Sequence, residues 1–297
     1  MRLVRDEVTV QVPATSANLG PGFDAFGLAL GIHDVVQVRA TTGTTHVHVN
    51  GAGAGEVADG EDHLVVRAIR LALDQVGAPQ AGLELRCHNA IPHGRGLGSS
   101  AAAVVAGLVA TRALISEPEA LDDALVLQLA TEVEGHPDNA APALHGGATI
   151  AWFEDGRARM APVPVSPDVQ VSVLVPEARL PTARARTALP RTVSHTDAVI
   201  TAGRAGLLTL ALGGRTDLLL PATQDLLHQP YRIDVMPGSL ELLTVLREAG
   251  LPAVISGAGP SLLVFGHLPA EHLAAVPPGW RVRHPQIDRD GAGLRGP

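Results

Sequence analysis

Apolar and polar positions alternate in three short runs near the start of the chain, VTVQV (8–12), HDVVQVRA (33–40) and THVHVN (45–50). A period of two predicts strands with one buried face. GAGAGEVADGED (51–62) has the composition of a loop, and HLVVRAIRLALDQVG (63–77) then shifts to helical spacing and stops at a glycine. GLELRCHNAIP (82–92) reads as a strand, and helices are predicted from Gly98 to about Ile115 and over LDDALVLQLATEVEG (121–135). The Pro-rich MAPVPVSP (160–167) is the best candidate for a domain boundary. Beyond it come a strand, VQVSVLVP (169–176), helices near 191–212 and 238–249, and two strand segments around a glycine turn in LPAVISGAGPSLLVFG (251–266). Hairpins mixed with helices predict an α+β fold, and 297 residues suffice for two modest domains.

Composition narrows the function. Only 2% of residues are aromatic, so the core must be built from Val, Leu, Ile and Ala. The net charge of −8 and the lack of stacking rings argue against a nucleic-acid partner. No apolar run reaches the roughly 18–20 residues of a membrane span, and the N-terminus lacks the apolar stretch of a signal peptide. The single cysteine, Cys87, allows no internal disulfide and no cysteine metal cluster, and reads as a small buried residue. A cytoplasmic protein is expected. All 22 basic residues are arginine, which excludes a lysine nucleophile, a lysine Schiff base and a P-loop lysine.

Two stretches carry candidate chemistry. In IPHGRGLGSSAAAVVAGLVA (91–110), Gly94, Gly96 and Gly98 stand at alternate positions before two serines and an alanine-rich helix. Such a turn lets backbone N–H groups converge, and the helix start adds its own unpaired N–H groups, which together make a phosphate site. The spacing is neither GxxxxGK[ST] nor G-x-G-x-x-G. In VPATSANLGPGFDAFGLAL (12–30), an Asn and an Asp interrupt an otherwise uncharged segment.

PHGRGLGSSAA (92–102) resembles the second motif of the GHMP kinase superfamily, P-x-x-x-G-L-G-S-S-A-A. PATSANLGPGFDAFGLAL (13–30) resembles its N-terminal motif in the homoserine kinase form. SGAGPSLLVF (256–265) is similar to its C-terminal glycine motif, and EGHPDNAAPALHGG (134–147) to the homoserine kinase segment between them. The resemblance spans nearly the whole chain. It implies an N-terminal nucleotide-binding domain, 1–160, like ribosomal S5 domain 2, and a ferredoxin-like C-terminal domain, 161–297, that contributes to the acceptor site. It also implies phosphorylation of the side-chain hydroxyl of L-homoserine by ATP with Mg2+, in threonine biosynthesis, with no nucleic-acid or membrane partner and with room for a homodimer.

The resemblance further implies which residues do the work. Pro92, Gly94, Arg95, Gly96, Leu97, Gly98, Ser99, Ser100, Ala101 and Ala102 would hold the nucleotide phosphates, and His63 stands where the family has an Asn against the base. Ser99 reads equally as a helix cap. Ser100 and Glu134 would hold Mg2+, with Glu132 two residues away on a different helix face. Asn18, Asp24, Asp138, Asn139, Thr182, Arg186 and Arg232 match the acceptor pocket, and Arg184 is the neighbour to be told from Arg186. Asp24, Arg186 and Asn139 are the expected catalytic residues. Asp24 would orient the hydroxyl, since the lysine of the mevalonate enzymes is absent. Asp138 also reads as a turn residue, and His136 as a structural hydrogen-bonded histidine.

Overall fold

The computed structural model describes residues 1–296. The chain order is β1 (Glu7–Ala17), β2 (Phe26–Thr41), β3 (His46–Gly51), α1 (Leu64–Gln75), β4 (Gly82–Asn89), α2 (Ser99–Leu114), α3 (Asp123–Glu134), α4 (Ala140–His145), β5 (Ala148–Glu154) and β6 (Arg157–Val163). Then follow β7 (Val171–Pro176), α5 (Thr182–Thr187), α6 (His195–Leu212), α7 (Leu219–Ala222), α8 (Pro237–Glu248), β8 (Ala253–Ile255), β9 (Leu262–Phe265), α9 (Ala270–Leu273), β10 (Trp280–Arg283) and β11 (Gly293–Leu294).

The first sheet runs β11-β1-β2-β4-β3, with β5 on the first residues of β2 and β6 on β5. β2 has 16 residues because it serves two partners, Phe26–Leu28 against β5 and Val35–Thr41 against β4. The β1–β2 register shifts between Pro13 and Ala14, where the proline that cannot donate a ladder bond is accommodated. Both strands extend beyond the alternating runs. PATSA and FGLALG have no period-two pattern, because nearly all of these side chains are buried whichever way they point. α2 is apolar around its circumference and lies inside the core, with Val104, Val105, Leu108 and Val109 buried.

The second sheet is antiparallel in the order β10-β7-β9-β8. Counted from β7, its strands run 4-1-3-2, the ferredoxin-like order. One face, with Val171, Val173, Leu263 and Phe265, joins the main core together with Leu208 and Leu212 of α6. The other, with Leu174, Ile255, Leu262 and Val264, packs with Leu243 and Leu246 of α8. The tail then returns to the first sheet. Ile287 bridges Leu30, and β11 pairs Val10 and Gln11 of β1. Cys87 is buried on β4 and burial pushes its thiol up to about 12, as a packing residue requires. No helix among the described residues is long and apolar enough to cross a membrane.

Candidate active site

The β4–α2 connection has three left-handed glycines, Gly94 (φ +65°), Gly96 (φ +70°) and Gly98 (φ +68°). Positive φ alone favours glycine, but two of the positions are also closed by contact. A Cβ on Gly96 would stand 2.2 Å from the Ser256 carbonyl oxygen, and one on Gly98 1.9 Å from Thr15 Oγ1. The loop is therefore clamped between the end of β1 and the β8–β9 turn. Ser256 Oγ donates to the Gly96 carbonyl (2.7 Å), and Thr15 N donates to the Leu97 carbonyl (3.1 Å). Its approach from β4 is held by Asp34, whose carboxylate accepts from Ala90 N (2.7 Å) and Ile91 N (2.9 Å). Burial raises the Asp34 pKa to about 6 against the pull of those two bonds.

Gly98 is the N-cap of α2, and no side chain caps that helix. Ser99 therefore leaves the first-turn N–H groups to another acceptor, the arrangement that suits an anion. Ser100 Oγ donates to Glu134 Oε1 at the end of α3 (2.5 Å). Burial raises the Glu134 pKa, with the Ser100 bond opposing it. Glu132 points elsewhere, accepting from Gln128 Nε2 (2.7 Å), so only Glu134 shares the cleft with the loop.

That cleft, about 390 Å³, continues from the loop to a second group of charges. The β1–β2 turn holds Asn18 (φ +70°) and Asp24 (φ +56°) in backbone conformations that are strained for non-glycine residues. The turn is pinned by its own Asn18, whose Oδ1 accepts from Asp24 N (2.9 Å) and whose Nδ2 donates to the Gly257 carbonyl (2.9 Å). His228, fully buried, donates through Nε2 to the Gly20 carbonyl (2.8 Å) and stacks on Phe23 at 4.9 Å.

Arg186 on α5 donates through both Nη atoms to the two oxygens of Asp24 (3.0 and 2.7 Å), and its guanidinium lies 5.8 Å from the Phe23 ring centre. That leaves three of its five N–H donors. The Asp24 hydrogen bond raises the Arg186 pKa in spite of burial. Arg184 is exposed on the same helix and does not line the cleft. Arg232, only 1% exposed, donates through Nη1 to the Gly257 carbonyl (2.8 Å) and meets no carboxylate directly among the described residues. Burial draws its pKa down to about 10, with the charges of Asp225, Asp24 and Asp138 acting the other way. Asp138 is buried, accepts from His136 Nδ1 (2.6 Å), and receives Asn139 Nδ2 (3.2 Å). Asn139 Oδ1 accepts from Thr15 Oγ1 (2.8 Å), which ties this group of polar side chains to the loop. Thr182 lines the cleft at its exposed edge.

Some expected residues serve differently. Arg95 does not face this cleft. Its guanidinium donates to the carbonyls of Pro176 (2.9 Å), His93 (2.9 Å) and Glu177 (2.8 Å), so it ties the loop to the end of β7. The side chains of Leu97, Ala101 and Ala102 are buried in the core, which leaves only their backbones for a ligand, and Pro92 lies behind the loop. His63 is the N-cap residue of α1 and is 6% exposed. It lines a neighbouring cleft of about 320 Å³ with Val36, Val57, Val65 and Asn89, which reaches Ser99 and Ser100 from the other side. Thr15 and Phe23 lie in the N-terminal motif and Ser256 opens the C-terminal one, although none is singled out there, whereas Asp34 and His228 support the site without any sequence signal, because each acts through a partner distant in the chain. Among the described residues no three His, Cys, Asp or Glu side chains gather as a metal cluster, so a cation here would rest on Ser100, Glu134 and a phosphate-bearing ligand.

A family model described as GHMP kinases N terminal domain matches residues 63–147. The chain is 50% identical over 288 residues to the homoserine kinase of Streptomyces coelicolor, covering 96% of this chain and 93% of that one. It is 48% identical over 300 residues to the homoserine kinase of Mycolicibacterium smegmatis, covering 97% and 94%. Among solved structures, homoserine kinase from Cytophaga hutchinsonii superposes with a TM-score of 0.82 at 27% identity, over 98% of both chains. The L. major mevalonate kinase in complex with R-mevalonate superposes at 0.69 with 13% identity over 97% and 99%, which speaks to the fold alone. The two-domain α+β architecture is that of these kinases, and the chain belongs to the homoserine kinase family of GHMP kinases.

Proposed function

We propose that the protein transfers the γ-phosphoryl group of ATP to the side-chain hydroxyl of L-homoserine, giving O-phospho-L-homoserine for threonine biosynthesis. The observation that carries this reading is one continuous cleft. At one end are the uncapped start of α2 and the Ser100–Glu134 pair, and at the other are Arg186 and Arg232 among Asp24 and Asp138. A phosphorylated donor suits the first end. A zwitterion suits the second, with guanidinium groups for its carboxylate and acidic side chains for its ammonium.

Transfer needs positioning and charge neutralisation more than covalent help from the protein. The acceptor oxygen forms the new bond to phosphorus as the bond to ADP breaks, and the hydroxyl proton is released to water. The loop glycines and the first turn of α2 would receive the phosphates on their backbone N–H groups. Ser100 and Glu134 are adjacent hard oxygen donors and fit Mg2+, which when bound supplies charge neutralisation at the phosphates. Asp24 is held by both Nη groups of Arg186, which fixes its carboxylate to orient the acceptor hydroxyl. Asn18, Asn139 and Thr182 complete the acceptor pocket, and the apolar cleft beside His63 suits the adenine ring.

The test is ADP release with L-homoserine, mevalonate and galactose, followed by KM values in variants. Removing one charged partner from a buried contact costs about 2–5 kcal/mol. Arg186→Ala and Arg232→Ala should each raise the homoserine KM more than tenfold with a smaller effect on ATP, and Arg184→Ala should change little. Turnover that favours mevalonate or galactose, or unchanged homoserine KM in both arginine variants, would overturn the assignment.

A further inference from the structure

A second cleft, about 370 Å³, lies behind the phosphate loop, between the end of β4 and the β7–β10 edge of the second sheet. Four guanidinium groups line it, those of Arg95, Arg179, Arg281 and Arg283. This is a local reversal of sign in a chain of net charge −8. The opposing carboxylates are Glu177 in the wall and Glu56 outside it, and Glu56 is already taken by Arg179 through both of its oxygens. Arg95 spends three donors on backbone carbonyls, which hold it in place and leave its charge unmatched. Arg281 and Arg283 stand two apart on β10, opposite Val175 and Val173 of β7, and so share one face of the strand. Neither makes a side-chain hydrogen bond or ion pair among the described residues. Burial and the charges of Arg179 and Arg281 hold the Arg95 pKa below its ordinary value.

Crowding like charges in a concave surface is unfavourable, and it is relieved when an anion enters. Guanidinium forks suit carboxylate and phosphate oxygens. The cleft also shares Asn89 and His93 with the apolar cleft beside His63, yet none of its lining residues belongs to the cleft that holds Glu134, Arg186 and Arg232. The proposed kinase reaction therefore places neither its phosphates nor its acceptor there, and only Asn89 and His93 are shared with the cleft proposed for adenine.

We propose that the cleft bounded by Arg95, Arg179, Arg281 and Arg283 is a second ligand site, specific for a compact di- or trianion bearing phosphate or carboxylate groups. The site recognises charge through Arg281 and Arg283, while Arg95 forms a fixed wall. Isothermal titration with inorganic phosphate in one arm and the tricarboxylate tricarballylate in the other tests it. The phosphate loop is first filled with a non-hydrolysable ATP analogue and Mg2+. Titration of that analogue alone reports separately on the nucleotide site, so failure there is not confused with failure here. One saturable site is expected for at least one anion, and the arm that binds identifies the anion class. In Arg281→Ala/Arg283→Ala, with both changes on a partly exposed edge strand, the affinity should fall at least tenfold. Arg157→Ala/Arg159→Ala, on the remote strand β6, should leave it unchanged. No saturable binding of either anion, or equal affinity in the Arg281→Ala/Arg283→Ala protein, overturns the proposal.

Discussion

The two ends of the active-site cleft are built in opposite ways. The phosphate end is one uninterrupted segment, residues 94–100, plus Glu134. The acceptor end is assembled from the β1–β2 turn, the start of α4, α5, the segment at Arg232 and the β8–β9 turn. The contiguous end nevertheless depends on distant packing as well, since Gly96 and Gly98 leave no room between Ser256 and Thr15. A loop that is local in sequence can thus be fixed by long-range contacts. Conversely, the dispersed end makes its own local staples, with Asn18 capping the Asp24 N–H six residues on.

Replacing the loop glycines should break this comparison most visibly. Gly98→Val adds a branched side chain at positive φ where a Cβ already stands 1.9 Å from Thr15 Oγ1. Backbone strain costs about 1–3 kcal/mol and overpacking roughly as much again. Activity should be lost, and thermal unfolding should move down as well, because the clash is with the protein itself. Gly94→Ala is the contrast, with the same sign of φ but its nearest neighbour, Arg179 Cβ, at 3.5 Å. It should retain most activity. If both variants lose nucleotide binding equally with unchanged melting, close approach of the ligand rather than packing sets the glycine pattern.

The next largest effect separates Glu134 from Glu132. Glu134→Gln keeps the shape beside Ser100 and removes the charge, and turnover should fall roughly a hundredfold, as for losing a preorganised electrostatic contact. Glu132→Gln should be near neutral, since Glu132 is exposed, accepts from Gln128 Nε2 and lies outside the cleft. Steady-state kcat for the two proteins decides the point, and a swapped result would move the cation site off the loop.

Much of this was legible in the chain before any coordinates. The alternating runs at 8–12 and 33–40 and the helical spacing at 63–77 became β1, β2 and α1, because one-sided burial writes a period into sequence. The Phe26–Gly31 part of β2 is buried almost throughout and writes none. The β5–β6 hairpin went unread for a different reason, since Trp152, Phe153 and Glu154 are all exposed at the end of β5. The loop motif singled out the segment proposed to hold the phosphates, but its spacing did not reveal that Arg95 turns away to hold β7. The residues proposed for the acceptor pocket rest on resemblance alone, for nothing in the local pattern around Arg232 announces that it is buried against Gly257.

The smallest expected effect concerns pH, and it again divides the two ends. Burial lowers the pKa of His63 and His93 in the apolar cleft, and of His228 to about 4 behind the β1–β2 turn. His136 moves the other way. Burial opposes its charge, but the hydrogen bond to Asp138 and that carboxylate's charge outweigh it, so its pKa is raised above 6.5. A histidine with a depressed folded pKa contributes stability above the unfolded value near 6.5, and that stability is lost as the pH falls toward the folded value. A histidine with a raised pKa contributes fully below 6.5, and its contribution is lost as the pH rises through the folded value. The histidine part of the acid limb is therefore spread over three histidines and is opposed by Asp34 and Glu134, whose raised pKa values contribute stability at acid pH that is lost as the pH rises, whereas the histidine part of the limb above neutrality belongs to His136. His136→Asn should flatten the change in Tm as the pH rises above about 6.5, a shift of only a few degrees given about 2–4 °C per kcal/mol for domains of this size. It should leave the slope between pH 6.5 and 4 in place. His228→Gln should do the reverse, reducing the acid slope without removing it, because His63 and His93 still titrate. Calorimetric Tm values across that range for the three proteins check the assignment. A wild-type profile that keeps rising above neutrality, or an alkaline limb that survives in His136→Asn, would show that the His136–Asp138 pair holds no net charge-dependent stability.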